Sequence, residues 1–222
     1  MKSLTAFDVL SLISGIFWTL TYLLIIERGF RDKTYGMPLL ALCLNISWEF
    51  IFSFVLPHKS IQHIVDFVWL FLDTVILIQL LWFGSREFRD LRKPAFYIAF
   101  GLTLATSFFT IFFISSQIKD GGVNTAFGQN LLMSGLFITM LYQRKSLRGQ
   151  SIWIAICKLL GTACVSLGFY LFPETSEIKE SVLLPFLYIS IFMYDLTYVG
   201  LIYITKNVNF HVETAQVGIY ND

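Results

Sequence analysis

Asn45-Ile46-Ser47-Trp48-Glu49-Phe50-Ile51-Phe52 sets one carboxylate inside a run from Met37 to Leu56 that holds no other charged residue. The run is long enough to cross the hydrocarbon core of a bilayer as a helix. An ionisable side chain in such a helix costs roughly 2.5 to 3.5 kcal/mol even on the lenient insertion scales. The stretch therefore reads as a membrane span whose carboxylate faces a protein interior and does chemical work there. Asp73 and Asp195 sit in similar apolar surroundings further along.

The rest of the chain has the same character. Of 222 residues, 56% are hydrophobic and 14% charged, 23 are Phe, and the mean hydropathy is +0.68. A water-soluble domain usually carries about a quarter charged residues, so this composition identifies an integral membrane protein. The net charge of +1 gives no reason to expect a nucleic-acid partner. Cys43, Cys157 and Cys164 are odd in number and fall in apolar segments, which suits small buried hydrophobes better than a disulfide framework. The stretch from Met1 to Asp8 lacks the basic region and cleavage site of a removable signal peptide, so the first apolar run is expected to remain as a span.

Apolar runs of about 20 residues occur at Val9–Ile26, Met37–Leu56, Val65–Gly84, Pro94–Ser116, Val123–Tyr142, Ile152–Phe172 and Val182–Thr205. They predict an all-α, polytopic bundle of seven transmembrane helices forming a single domain over residues 1–222. The connectors leave no room for a soluble domain. Pro38, Pro57, Pro94, Pro173 and Pro185 all lie at or near the ends of the runs, where a missing backbone N–H is tolerated. A polar tail from Asn207 to Asp222 is expected to be a loosely held end.

Alternate connectors differ in basic residues. One set holds eleven: Arg28, Arg31, Lys33, Arg86, Arg89, Arg92, Lys93, Arg144, Lys145, Arg148 and Lys206. The other set holds Lys2, Lys59, Lys119 and Lys179. The positive-inside rule then places the N-terminus outside or in a lumen and the C-terminus in the cytosol.

Depth brings the three acids together. At 1.5 Å per residue, Glu49 lies about 12 Å below the Pro57 end of its span, Asp73 about 12 Å below Val65, and Asp195 about 15 Å below Pro185. All three ends are on the non-cytosolic side, so the carboxylates are expected to share one layer. Helical spacing puts Asn45 one turn from Glu49, Trp69 one turn from Asp73, and Phe192 and Tyr198 three residues either side of Asp195. A carboxyl in an apolar, aromatic-lined cavity is disfavoured as an anion and can serve as a proton donor. Aromatic faces attract cations there.

Other readings remain open for several of these groups. Asp73 also suits a hydrogen-bonded peg between helices, and Gln129 and Asn130 either line the cavity or peg helices. Asp8 and Asp66, at span ends, are expected to be solvated. Lys158, inside the sixth run about 10 Å from its cytosolic end, is expected to snorkel to the surface, with a counter-ion role as the alternative. Trp82 and Trp153 suit an interfacial belt. His58, His63 and His211 fall in predicted loops or the tail, which makes an intramembrane metal site unexpected. Glycine-rich phosphate loops, Asp-rich diphosphate motifs and a retinal-carrying lysine in the seventh run are absent.

The Trp48-Glu49 pair with Asn45 in the second run, Asp73 in the third, and Tyr194-Asp195 in Met-Tyr-Asp-Leu-Thr-Tyr of the seventh resemble the membrane-integral terpene cyclases of meroterpenoid and indole-diterpene pathways, the paxilline-type cyclases. The resemblance implies a membrane-bound, non-ionising cyclase that protonates an epoxide or alkene of a prenylated aromatic substrate. It implies Glu49 and Asp195 as the general-acid pair, with Asp73 and Asn45 in support. Trp48, Trp69, Tyr194, Tyr198, Phe192, Gln129 and Asn130 would line the substrate and its cation. The implied partners are a lipophilic substrate and the bilayer, with a prenyltransferase and an epoxidase upstream; the proton is the only reagent and no cofactor is required. Such an enzyme would reside in the endoplasmic reticulum of a eukaryote or the cytoplasmic membrane of a bacterium. Buried acids also mark proton-coupled transporters, and seven helices suit a ligand receptor. Against a carrier, no duplicated half with broken helices is evident.

Overall fold

Each apolar run contains one long helix, and the ends of the helices follow from local chemistry. The computed structural model describes residues 4–59, 61–88 and 92–219, without the side chains of 208–219. The helices are α1 (Ala6–Asp32), α2 (Leu39–Phe50), α3 (Ile61–Glu87), α4 (Lys93–Ile118), α5 (Val123–Arg144), α6 (Ile152–Leu171), the short α7 (Ser176–Lys179) and α8 (Leu183–Ile219). A π-helical turn, Ile51–Val55, extends α2. Lys2 and Arg89 of the charge count lie outside the described residues, as does the side chain of His211.

Thr5 caps α1 reciprocally: its hydroxyl accepts from the Asp8 N–H, and the Asp8 carboxylate accepts from the Thr5 N–H at 2.8 Å. Pro94 occupies the first turn of α4, where its missing N–H leaves nothing unpaired. Ser151 caps α6 through the Ile154 N–H. The sequence places a loose tail after Lys206, but α8 continues to Ile219. Nothing between Asn207 and Val217 is Pro or Gly, so no residue there breaks the helix.

α2 is the hub. It packs on α3, α4 and α5, while α1 lies along α6 and α3, and α8 closes against α5 and α6. Ala41, Leu42, Cys43, Leu44, Asn45, Ser47, Trp48 and Glu49 are all buried. A helix enclosed on most sides shows no amphipathic pattern, which explains its unbroken apolar run. α4 is the opposite case, with Ile98, Leu102, Phe109 and Phe113 among its exposed side chains. Exposed apolar residues of this kind on every long helix form the surface that lipid covers.

Five helices, α1, α3, α4, α6 and the Leu183–Asn207 part of α8, are long and apolar enough to cross a membrane. The protein is therefore a polytopic, all-helical membrane protein. The Leu39–Val55 helix is shorter, and α5, which carries Asn124, Gln129 and Asn130, is not among the five.

One turn is tied directly to the hub. Gly122, which starts α5, has φ +81°, and a Cβ there would overlap the Phe52 ring. Its carbonyl accepts from Trp48 Nε1 at 3.1 Å. Gly122→Ala is expected to lower stability in detergent by about 2 kcal/mol or more, from left-handed strain plus overlap. Gly101→Ala, at a mid-helix site with open space around it, is expected to leave the melting temperature no lower; thermal unfolding of the two variants checks both.

Candidate functional site

Asn45 and Glu49 stand one turn apart on α2 and face the bundle interior. The Asn45 amide donates to the hydroxyl of Tyr22 on α1 and to Asp73 Oδ2 on α3 at 2.7 Å. The Gln129 amide of α5 donates to Asn45 Oδ1 at 3.5 Å. Four helices thus meet at Asn45. Glu49 is 2% exposed, and no hydrogen bond or ion pair to it is formed among the described residues. Its Oε2, Asp73 Oδ1 and Gln129 Oε1 are buried acceptors with no donor.

A second cluster surrounds Lys158, which is fully buried. Its ammonium donates to Asp195 Oδ1 at 2.7 Å, Asp195 Oδ2 at 3.0 Å, Ser134 Oγ at 2.6 Å and Asn130 Oδ1 at 2.9 Å. Three N–H groups therefore find three partner residues. The ring of Trp18 lies 5.7 Å from the ammonium, and Asn130 donates to Thr162 Oγ1. This corrects the expectation that Lys158 snorkels: a matched carboxylate on α8 is within reach, while the near end of α6 is about 10 Å away. Asp195 is the counter-ion of Lys158.

The two clusters adjoin through α5 and α1. Adjacent residues Gln129 and Asn130 serve one each. A row of rings, Trp18, Tyr22 and Trp69, has neighbouring centroids 6.1 Å apart. Trp69 donates its indole N–H to Thr19. Trp48 packs on Phe52, 4.5 Å between centroids, at the end of α2. Tyr198 is buried but directs its hydroxyl to Gln150, at 2.8 Å, and its ring to Phe137. Tyr194 and Phe192 lie on the outer face of α8, Phe192 at a cleft between α6 and α8 that also reaches Asp195. Neither touches Glu49. Tyr22, Ser134 and Thr162 belong to the clusters although the sequence pointed to no site role for them, and Lys158 takes the counter-ion role that was only its alternative reading. A lone cation in an apolar run was the available signal for Lys158; Tyr22 had none.

Asp66 is also corrected. It is fully buried, accepting from His58 Nδ1 at 2.7 Å and from Gln62 at 2.9 Å. His63, expected in a loop, lies in the first turn of α3 and reaches the Ser53 carbonyl at 3.0 Å. His58 Nε2 meets the Gly121 carbonyl at 2.8 Å. A carboxylate and a carbonyl are both acceptors, so only the imidazolium satisfies both bonds. Burial works to lower the His58 pKa; the bond to Asp66, the Gly121 carbonyl and the charges of Asp66 and Glu174 outweigh it and raise it.

Residues 2–207 match the profile of a family described as Pyr4-like transmembrane terpene cyclases. The chain is similar to the Pyr4-family terpene cyclase mfmH of Annulohypoxylon moriforme, 28% identical over 86% of this chain and 83% of that protein. It is similar to terpene cyclase macJ of Penicillium terrestre, 28% identical over 73% of this chain and 66% of the relative. Terpene cyclase pyr4 of Aspergillus fumigatus is 29% identical over 68% of this chain and 65% of its own length. The aligned stretch thus spans just under two thirds of the latter two. No solved structure matches.

Lys158→Met leaves Asp195 buried and unpaired and is expected to cost about 3 to 5 kcal/mol; adding Asp195→Asn is expected to restore most of it, as read by thermal unfolding in detergent. His58 supplies a pH test. Because its pKa is raised on folding, its contribution is complete below about pH 6.5 and fades as pH climbs through the raised value. The stability gap between wild type and His58→Gln is expected to narrow from pH 6 to pH 9.

Proposed function

This chain belongs to the Pyr4-like transmembrane terpene cyclases, and from that premise we propose that it cyclises a prenylated aromatic or meroterpenoid precursor by protonation of an epoxide or alkene. The observation that carries the proposal is Glu49, a buried carboxyl on the hub helix with no cation or donor bonded to it among the described residues. Asp195 shares its charge with Lys158, which supports a division of labour within the acid pair. Glu49 is the proton donor. Asp195 is the fixed anion that stabilises the cation or takes the last proton.

The steps balance without another reagent. The Glu49 carboxyl proton is transferred to the epoxide oxygen or terminal alkene carbon, leaving the carboxylate; the C–O or π bond breaks, and a tertiary cation forms. Internal double bonds attack it in turn and close rings. Loss of a proton from the last cation gives an isomer of the substrate and restores the proton count. Asn45 and Asp73 hold the α2 face in position, and the rings of Trp18, Tyr22 and Trp69 offer their faces to positive charge. Exclusion of water keeps the cation from being quenched.

On this reading all seven long helices cross the bilayer, with the N-terminus outside or lumenal and the endoplasmic reticulum as the location in a eukaryote. The reactions that supply the substrate are prenyl transfer to an aromatic ring and epoxidation of the terminal alkene.

Membranes containing the protein are expected to convert an epoxyfarnesyl- or epoxygeranylgeranyl-aromatic substrate into a product of unchanged mass and altered retention time. Glu49→Gln is expected to lower kcat about 10²-fold or more, and Asp195→Asn to lose activity while still inserting. Full turnover by Glu49→Gln would remove it as the acid, and flux of protons across vesicles without any product would favour a carrier.

A further inference from the structure

Between α6 and α8 the surface opens into a cleft of about 410 Å³, within the roughly 300 to 1,000 Å³ of small-molecule sites. Thr162, Ala163 and Ser166 line one side, and Tyr188, Phe192 and Asp195 the other. The spacing i, i+4 on α6 and i, i+4, i+7 on α8 runs the cleft along both helices for about 10 Å. Most of the lining is apolar, yet two of its hydroxyls are left without a bond among the described residues. Ser166 Oγ and Tyr188 OH belong to residues 8% exposed and have no hydrogen-bond partner among the described residues. At the other end lies Asp195, pinned by Lys158.

An unpaired buried hydroxyl costs about 1 to 3 kcal/mol, and a ligand bearing an oxygen or N–H there relieves that cost. The flanks, Tyr170, Ile189 and Phe192, are exposed on the apolar outer face, so the ligand arrives through the bilayer. It must be largely hydrocarbon, with a polar group at one end.

We infer that this cleft binds the oxygenated aromatic head of the isoprenoid substrate, with Ser166 and Tyr188 as its hydrogen-bond partners and the chain leading toward Asp195. The inference rests on the cyclase reading. It makes Ser166 and Tyr188 determinants of head-group choice, separate from the proton donor on α2.

The probe is a farnesyl phenol with a diazirine on its aromatic ring, irradiated with the full chain in phosphatidylcholine vesicles. Labels are expected on residues 159–170 and 185–192. Excess unlabelled farnesyl phenol should remove them, whereas a farnesyl hydrocarbon without oxygen should compete at least about tenfold more weakly. Ala163→Trp should fill the cleft and abolish labelling. The Ser166→Ala, Tyr188→Phe double variant should raise KM about tenfold with kcat retained. Labels elsewhere, or equal competition by the hydrocarbon, overturn the inference and mark an ordinary lipid groove. Product formation with labels outside the cleft sinks the cleft and leaves the cyclase reading standing. Labels in the cleft with no product from any epoxide or alkene sink the cyclase reading and leave a prenylphenol site.

Discussion

Hydrocarbon offers no hydrogen bonds, so each polar group carried into the bundle must be satisfied by another helix. That constraint organises the structure. Gln79 of α3 donates to the Ile26 carbonyl of α1, Tyr198 of α8 to Gln150, and Trp48 of α2 to Gly122. Packing between apolar side chains gives little specificity in lipid, where tails are as apolar as Leu. Polar pegs of this kind fix which helix lies beside which.

Against that background the unsatisfied atoms acquire meaning. Among the described residues Glu49, Asp73 and Gln129 each present a buried oxygen without a donor; Asp73 and Gln129 are bonded to Asn45, and Glu49 stands one turn from it on α2. The neighbouring Lys158 cluster is fully paired. One centre is held charged and rigid by its own partners; the other keeps acceptors free. Two buried acids on different helices are thereby given different surroundings, and on the proposed cyclase reading different roles, a pattern familiar from paired carboxyls in acid–base catalysis.

The membrane class, the helices and the three buried acids were legible because the cost of a charge in an apolar run is visible one residue at a time. What the sequence conceals is lateral pairing. Lys158 was measured against the distance to the surface, when the decisive distance was to Asp195 on a helix distant in the chain. Asp66 was judged by its place at a span end, but the loop carrying His58 folds back over it. Tyr194 adjoins Asp195 in sequence yet, being one residue off, points about 100° away around the helix. Tyr22 carried no signal because an aromatic in an apolar run is ordinary until its hydroxyl meets Asn45.

The π turn at Ile51–Val55 closes with a bond from the Leu56 N–H to the Ile51 carbonyl, five residues back. It amounts to one residue added to an otherwise regular helix. The α-helical phase runs to Phe50, and the turn itself, which ends the helix at Leu56, departs from it. Position along α2 therefore has two origins: residues counted from Pro38 follow α-helical spacing to Glu49, whereas a count back from Pro57 slips by one and misjudges both depth and direction. Among relatives, a gain or loss of a single residue between Phe50 and Pro57 would change chain length without moving the carboxyl.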